Sequence, residues 1–175
     1  MIEIRKIKSE DPFYPYIENL LISAFPIQER RDSKDQRELT NSSPIFNNNV
    51  VIVDRNPIGV ITYWDMEYFY YIEHFAIDKV HRNKGYGQEV LNILKKTLKA
   101  PLVLEAEVPI DETSRRRINF YQRQGFILRD VHYLQPPYRK GDSWFPLKLM
   151  TYGEIDMANQ YEFIKNKIYK YVYRQ

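Results

Sequence analysis

The chain of 175 residues contains no cysteine, which excludes disulfides, thiolate metal sites and a cysteine nucleophile. Its 3 histidines, His74, His81 and His132, form no HExxH helix and no paired metal-ligand spacing, so no metal is expected. No serine stands in a G-x-S-x-G elbow. No apolar run approaches the roughly 20 residues needed to span a bilayer, and the start, MIEIRKIKSE, lacks the apolar core of a leader peptide. The expectation is a cytoplasmic chain without membrane contact. Excess charge of one sign is also scarce. A net charge of +3 favours anionic ligands slightly but falls short of the clustered basic surface that nucleic-acid binding requires. Glycine occurs only 6 times, and two of the six fall one residue apart in HRNKGYGQEVL, residues 81–91.

What is present reads as one globular domain, residues 1–175: hydrophobic residues are 43% and charged residues 28%, enough to bury a single core. The 15 tyrosines are large amphipathic side chains suited to packing and to lining a pocket. A first strand, IEIRKIK, precedes a helical stripe of Phe13, Ile17, Leu20, Leu21 and Ala24, which Pro26 stops. The polar run QERRDSKDQRELTNSS reads either as a solvent-facing helix or as a mobile cover. VVIVD, the turn RNP and IGVITYWDM predict a hairpin, and YYIEHFAID a further strand. Val90, Leu91, Leu94 and Leu98 make a helical stripe closed by Pro101, with Lys95, Lys96 and Lys99 near its end. Then come the strand LVLEAEV, the helix DETSRRRINFYQRQ with Gly125 at its C-terminal end, the strands FILRDVHYL and SWFPLKLM, and a last helix with Met157, Tyr161, Ile164, Ile168 and Val172 on one face. That order implies an α/β (α+β) fold, a mixed central sheet flanked by helices.

A strand, a glycine turn and a helix start together make an anion site, because the first N–H groups of the helix are free and its dipole favours negative charge. Glycine lets the backbone approach a phosphate without an intervening Cβ; its other reading is simply a tight turn. The dinucleotide fingerprint needs a third glycine where Val90 stands, and the P-loop needs Lys after its glycine, where Lys84 precedes Gly85. The pattern present is Arg82-x-x-Gly85-x-Gly87 after a strand ending FAID, followed further on by NFYQRQGF, residues 119–126.

These two motifs, in this order and with a strand between them, resemble the GCN5-related N-acetyltransferase (GNAT) family over roughly residues 59–128. The resemblance implies the family's acyl-CoA N-acyltransferase fold, with acetyl-CoA bound where two parallel strands, here YYIEHFAID and LVLEAEV, splay apart. It places Phe75, Ala76 and Ile77 along the pantetheine arm, and Arg82, Asn83, Lys84, Gly85, Tyr86, Gly87 and Gln88 around the pyrophosphate. The implied reaction is direct acetyl transfer to a primary amine, with Glu73 as base and Tyr121 as proton donor to the departing thiolate. Glu73 shares a strand face with Phe75 and Ile77; an ion pair with an arginine is its structural alternative. His74 points the other way and reads as a packed histidine, while Tyr71 shares the Glu73 face. Where many relatives carry Asn and Ala, this chain has Ser114 and Arg117; Ser114 is expected to serve the pantetheine. The acceptor is a small-molecule or peptide amine, for which Asp65, Glu67 and Glu73 supply negative charge and Tyr133, Tyr138 and Trp144 a wall. A monomer or homodimer is expected. The competing reading is a non-catalytic module that binds acyl-CoA or another phosphate ligand.

Overall fold

The computed structural model describes residues 1–175, which group into two compact units. One comprises residues 1–65 and 72–99, the other residues 66–71 and 100–175. Both mix strands and helices.

In the first unit β1 (Ile2–Lys6) leads to α1 (Tyr14–Ala24), a short 3₁₀ turn at Ile27–Glu29 and α2 (Ser33–Ser42). β2 (Phe46–Val53), β3 (Asn56–Asp65), β4 (Tyr70–Ile77, of which Tyr70 and Tyr71 belong to the other unit) and α3 (Tyr86–Leu98) follow. The strands lie in the order β1-β2-β3-β4, with β1 antiparallel to β2 and β2 antiparallel to β3. α1 starts with a proline in its first turn, where the missing N–H costs nothing. Its buried Tyr14, Ile17, Leu20 and Leu21 pack on Val50, Ile52, Val60 and Ala76 of the sheet. Each fully buried aliphatic side chain there stabilises by about 1.5–3 kcal/mol.

The hairpin between β2 and β3 is tighter than the sequence predicts. Only Asp54 and Arg55 form its loop, both at positive φ (49° and 67°), as a two-residue turn matched to strand twist demands. β2 also begins earlier, at Phe46, where Asn48 and Asn49 are buried and their amide N–H groups find acceptors. Asn48 donates to Thr40 Oγ1 at 3.1 Å, and Asn49 donates to the Ile61 carbonyl at 3.1 Å. The polar run before β2 is neither simply exposed nor a loose cover. α2 buries Gln36, Leu39 and Thr40, an i, i+3, i+4 set on the face toward β2.

β3 and β4 meet closely at Gly59. A Cβ there would lie 2.7 Å from the Ala76 carbonyl oxygen and 2.8 Å from Ile77 Cδ1. A carbonyl fixed in a strand cannot yield, so Gly59→Ala is expected to cost about 1–3 kcal/mol, as overpacked cores do. Thermal melting checks this: a fall of roughly 2–12 °C is expected for a chain of this size, and an unchanged midpoint would contradict the close approach.

The second unit holds β5 (Leu102–Glu107), α4 (Glu112–Arg123), β6 (Ile127–Leu128), β7 (Tyr133–Gln135), β8 (Phe145–Tyr152) and α5 (Met157–Ile168). α5 continues into a π-helical turn at Tyr169–Tyr173. β8 pairs antiparallel with β5 on one side and with β6 and β7 on the other. The predicted strand FILRDVHYL is thus two short strands. It breaks at Asp130 and His132, both exposed. The last helix buries Ile164, Ile168 and Val172 as its apolar spacing requires, whereas Met157 and Tyr161 are only partly buried. Three tyrosine hydroxyls fasten this segment: Tyr161 donates to the His132 carbonyl, Tyr169 to the Leu134 carbonyl and Tyr173 to Glu105. No helix is long and apolar enough to cross a membrane.

Candidate active site

β4 ends in a braced turn. Asp78 accepts from the Val80 N–H, and the Tyr16 hydroxyl donates to its other oxygen at 3.3 Å. Arg82 donates from Nε to the Ile77 carbonyl at 2.9 Å. Asn83 and Gly85 both take positive φ, 62° and 82°; asparagine tolerates this region and glycine occupies it without strain. Gly85 is the residue before α3, and no side chain caps the helix. Its first intrahelical bond runs from the Glu89 N–H to the Gly85 carbonyl at 3.1 Å, so the N–H groups of Tyr86, Gly87 and Gln88 have no partner within the helix. A Cβ built on Gly85 meets nothing within 4 Å. Arg82, Asn83, Lys84 and Gly85 are exposed. The turn is an open cradle of donors beside two cations.

Along β4, Phe75 and Ile77 are partly exposed and Ala76 is 8% exposed. Glu73 is partly exposed as a residue although its side chain is only 1% exposed, so solvent reaches its main chain. Its carboxylate is held from both sides. Arg31 Nη1 lies 2.5 Å from Oε1, and Trp64 Nε1 donates to Oε2 at 2.8 Å. The Arg31 guanidinium also lies over the Trp64 ring, 5.5 Å from its centre. The polar run before α2 therefore supplies a buried cation, and Glu73 anchors that segment to β3 and β4. His74 is a structural peg. Its Nε2 donates to the Glu29 carbonyl at 2.8 Å, Thr62 Oγ1 lies 3.4 Å from Nδ1, and Phe25 packs edge-on at 4.6 Å. Burial pushes its pKa down, keeping the ring neutral.

In the second unit, NFYQRQGF is the end of α4. The Phe126 N–H bonds the Tyr121 carbonyl at 3.0 Å and the Gly125 N–H bonds the Gln122 carbonyl at 2.9 Å, with Gly125 at φ 85°. This is a Schellman motif, and the Tyr121 and Phe126 rings, 5.5 Å apart, supply its apolar contact. The Tyr-x-x-x-Gly-Phe spacing thus fixes where Tyr121 sits. Tyr121 is 8% exposed, its hydroxyl makes no hydrogen bond, and desolvation pushes its pKa up to about 12, with Arg117 pulling weakly the other way. It remains a protonated phenol at neutral pH.

The residues matching a family model run from 7 to 126, and that model is the acetyltransferase (GNAT) family. The chain belongs to the GNAT family. A solved GNAT-family structure from Bacteroides thetaiotaomicron, assigned as an acetyltransferase, is 45% identical, with 98% of each chain covered and a TM-score of 0.94. A GNAT acetyltransferase from Elizabethkingia anophelis, solved with acetyl-CoA bound, shares the fold at 18% identity and a TM-score of 0.60, over 87% of this chain and 98% of that one. The acetyltransferase YjbC of Bacillus subtilis (strain 168), itself named by assignment, is 28% identical over 106 residues, 58% of this chain and 52% of YjbC. The chain spans about half the length of that curated relative.

Set among GNAT residues, Ser114, Glu67 and Arg117 each have a partner within the protein. Ser114 is buried inside a capping box at the start of α4. Its N–H donates to Asp111 Oδ1 at 2.7 Å, its hydroxyl accepts from the Asp111 N–H at 3.2 Å and donates to Oδ1 at 2.8 Å. The Ser114 hydroxyl, expected to serve the pantetheine, caps α4 in this structure. Glu67 meets Lys167 at 3.7 Å and Arg117 meets Glu107 at 2.8 Å. Glu105 on β5, which no motif in the sequence singles out, accepts from both the Tyr133 and the Tyr173 hydroxyls. The available signal was a glutamate in a strand whose neighbours Leu104 and Ala106 are buried.

Proposed function

We propose that this GNAT-family chain transfers an acetyl group from acetyl-CoA directly to a primary amine. The observation that carries the reading is the open turn at Gly85, where three free N–H groups and two exposed cations stand at the end of a strand with accessible main chain. A pyrophosphate fits such a cradle, and the amide-rich pantetheine fits an accessible strand as an added partner. The bound acetyl-CoA of the Elizabethkingia anophelis relative supports this choice of ligand.

Acetyl-CoA supplies an acetyl thioester. In this chain Arg82, Lys84 and the N–H groups of Tyr86, Gly87 and Gln88 hold the pyrophosphate, with Asn83 and Gly85 shaping the turn, and the main chain of Phe75, Ala76 and Ile77 lies along the arm. Tyr121 donates its hydroxyl hydrogen to sulfur as the thiolate develops. The absence of cysteine suits attack by the amine itself, since no acetyl-cysteine can form. Glu73 is better suited to holding Arg31 and Trp64 than to accepting the ammonium proton, because protonation there would break a buried ion pair.

The test is incubation with acetyl-CoA and a panel of polyamines, aminoglycosides, amino acids and short peptides with free N-termini. Thiol release and acetylated product are followed together. Amine-dependent release, equimolar with product, is expected. Acetyl-CoA binding without transfer to any amine class would favour the non-catalytic module instead.

A further inference from the structure

The start of α2 is a second helix N-terminus with donors to spare, and it borders a cleft. α1, the segment joining α1 to α2, α2 itself and His74 of β4 line that cleft. The first bond within α2 runs from the Gln36 N–H to the Asp32 carbonyl at 2.9 Å, so the N–H groups of Ser33, Lys34 and Asp35 have no partner within the helix. No side chain caps it.

Inside the cleft stands an independent sign of a ligand. Gln36 lines the wall and is 5% exposed, and its Nε2 has no acceptor in the protein. A buried donor left unpaired costs stability, and here no protein group offsets that cost. Ser33, one turn earlier on the same helix face, lines the cleft beside it. Arg30 lines it too, with its Nε given to the Phe25 carbonyl at 3.2 Å, which leaves both Nη groups for a ligand. The acidic groups nearby are balanced or face water. Glu18 meets Arg37 at 3.3 Å, Glu73 meets Arg31 at 2.5 Å, and Asp32 and Asp35 are exposed. His74 adds no charge, since burial keeps its ring neutral, helped by the Arg31 and Arg30 charges. The α1 wall is apolar: Leu21 is buried, and Ile22 is exposed.

We propose that this cleft binds a small carboxylate with a short aliphatic stem. The carboxylate oxygens accept from Gln36 Nε2, from Arg30 and from the N–H groups at the start of α2, and the stem lies against Leu21 and Ile22. Charge-assisted donors of this kind suit a carboxylate, and a helix N-terminus favours its charge. The site shares no residue with the glycine turn and stands independently of the acetyl-transfer reading. Its occupant ties α1 to α2 and braces the segment from which Arg31 reaches Glu73.

The experiment uses butyrate as the probe, butyramide as its neutral counterpart and chloride at equal ionic strength as the control. Two-dimensional amide NMR follows the Gln36 side chain and the N–H groups of Ser33, Lys34 and Asp35. Butyrate is expected to shift these signals together and saturably, while butyramide and chloride leave them in place. Gln36→Met removes the donor at similar volume, and Arg30→Gln removes the charge. Each should weaken butyrate binding at least about tenfold, read from the helix N–H groups. Thermal melting gives a second readout. Butyrate should raise the melting temperature of the wild type, because it binds only the folded chain. Gln36→Met, relieved of its unpaired donor, should melt no lower than the wild type in chloride and gain less from butyrate. If Gln36→Met fails to fold, Arg30→Gln, at a partly exposed position, decides the matter. Equal shifts with butyramide or chloride, or butyrate binding by a folded variant as tight as by the wild type, would overturn the proposal.

Discussion

Tyr121→Phe is expected to lower kcat by roughly 10²–10⁴-fold, the usual loss when a positioned acid is removed, and to leave both acetyl-CoA affinity and the melting temperature near their wild-type values. The reasoning starts from local structure. The Schellman motif at the end of α4 and the Phe126 contact hold the Tyr121 ring through its carbonyl and its face, and the hydroxyl takes no part in either. Removing an oxygen that makes no hydrogen bond leaves no buried partner unsatisfied, so the usual stability loss of about 1 kcal/mol for a deleted hydrogen bond is not incurred. The hydroxyl is free for chemistry, and burial keeps it protonated. Steady-state kinetics and a thermal melt on the same preparation separate the roles. A variant with normal turnover would reduce Tyr121 to packing, and one with low stability and normal chemistry would place its hydroxyl in the structure.

Glu73→Gln is expected to act first on stability. The Arg31 and Glu73 side chains are 8% and 1% exposed, and removing one charge from a buried pair leaves the other without compensation, at a cost of about 3–5 kcal/mol. For a chain of this length that corresponds to a fall of roughly 6–20 °C in melting temperature. Arg31→Met combined with Glu73→Gln should recover most of the loss, since replacing both partners removes the stranded charge. The double variant is expected to keep the shape of the pH–rate profile. A Glu73 that serves as the base gives the opposite pattern: Glu73→Gln melts normally, its rate falls, and the deficit shrinks at high pH where the free amine already predominates.

Much of this was readable from residue order. The stripes Ile17-Leu20-Leu21 and Val90-Leu91-Leu94 are buried as their spacing predicts, because one apolar face of a helix has only a sheet to cover it. The glycine turn was legible for a similar reason. Few backbone conformations join a strand to a helix start, and Gly85 supplies the left-handed one. Less was legible where polar residues are buried by long-range partners. Asn48 and Asn49 look like a loop until Thr40 and Ile61 accept from their amide N–H groups. Arg31 looks solvated until Glu73, forty-two residues away, meets it. Ser114 fits a ligand role by type and motif position, yet its neighbour Asp111 claims its hydroxyl. Glu105 carries no local signal because its tyrosine partners lie 28 and 68 positions away in the chain, beyond the reach of any local pattern.

The claim that α3 and its glycine turn hold the pyrophosphate is tested most directly by calorimetry with two thioesters, acetyl-CoA and S-acetylpantetheine, which lacks the pyrophosphate and nucleotide. Wild type is compared with Gly85→Asn. Asparagine tolerates the positive φ of this position, and its Cβ enters space that is open in the protein, so the variant should fold. The wild type is expected to bind acetyl-CoA far more tightly than S-acetylpantetheine. Gly85→Asn should lose at least about tenfold of the acetyl-CoA affinity, about 1.4 kcal/mol, with S-acetylpantetheine binding unchanged. Equal affinity of the wild type for the two thioesters, or a folded Gly85→Asn that binds acetyl-CoA as the wild type does, would contradict it.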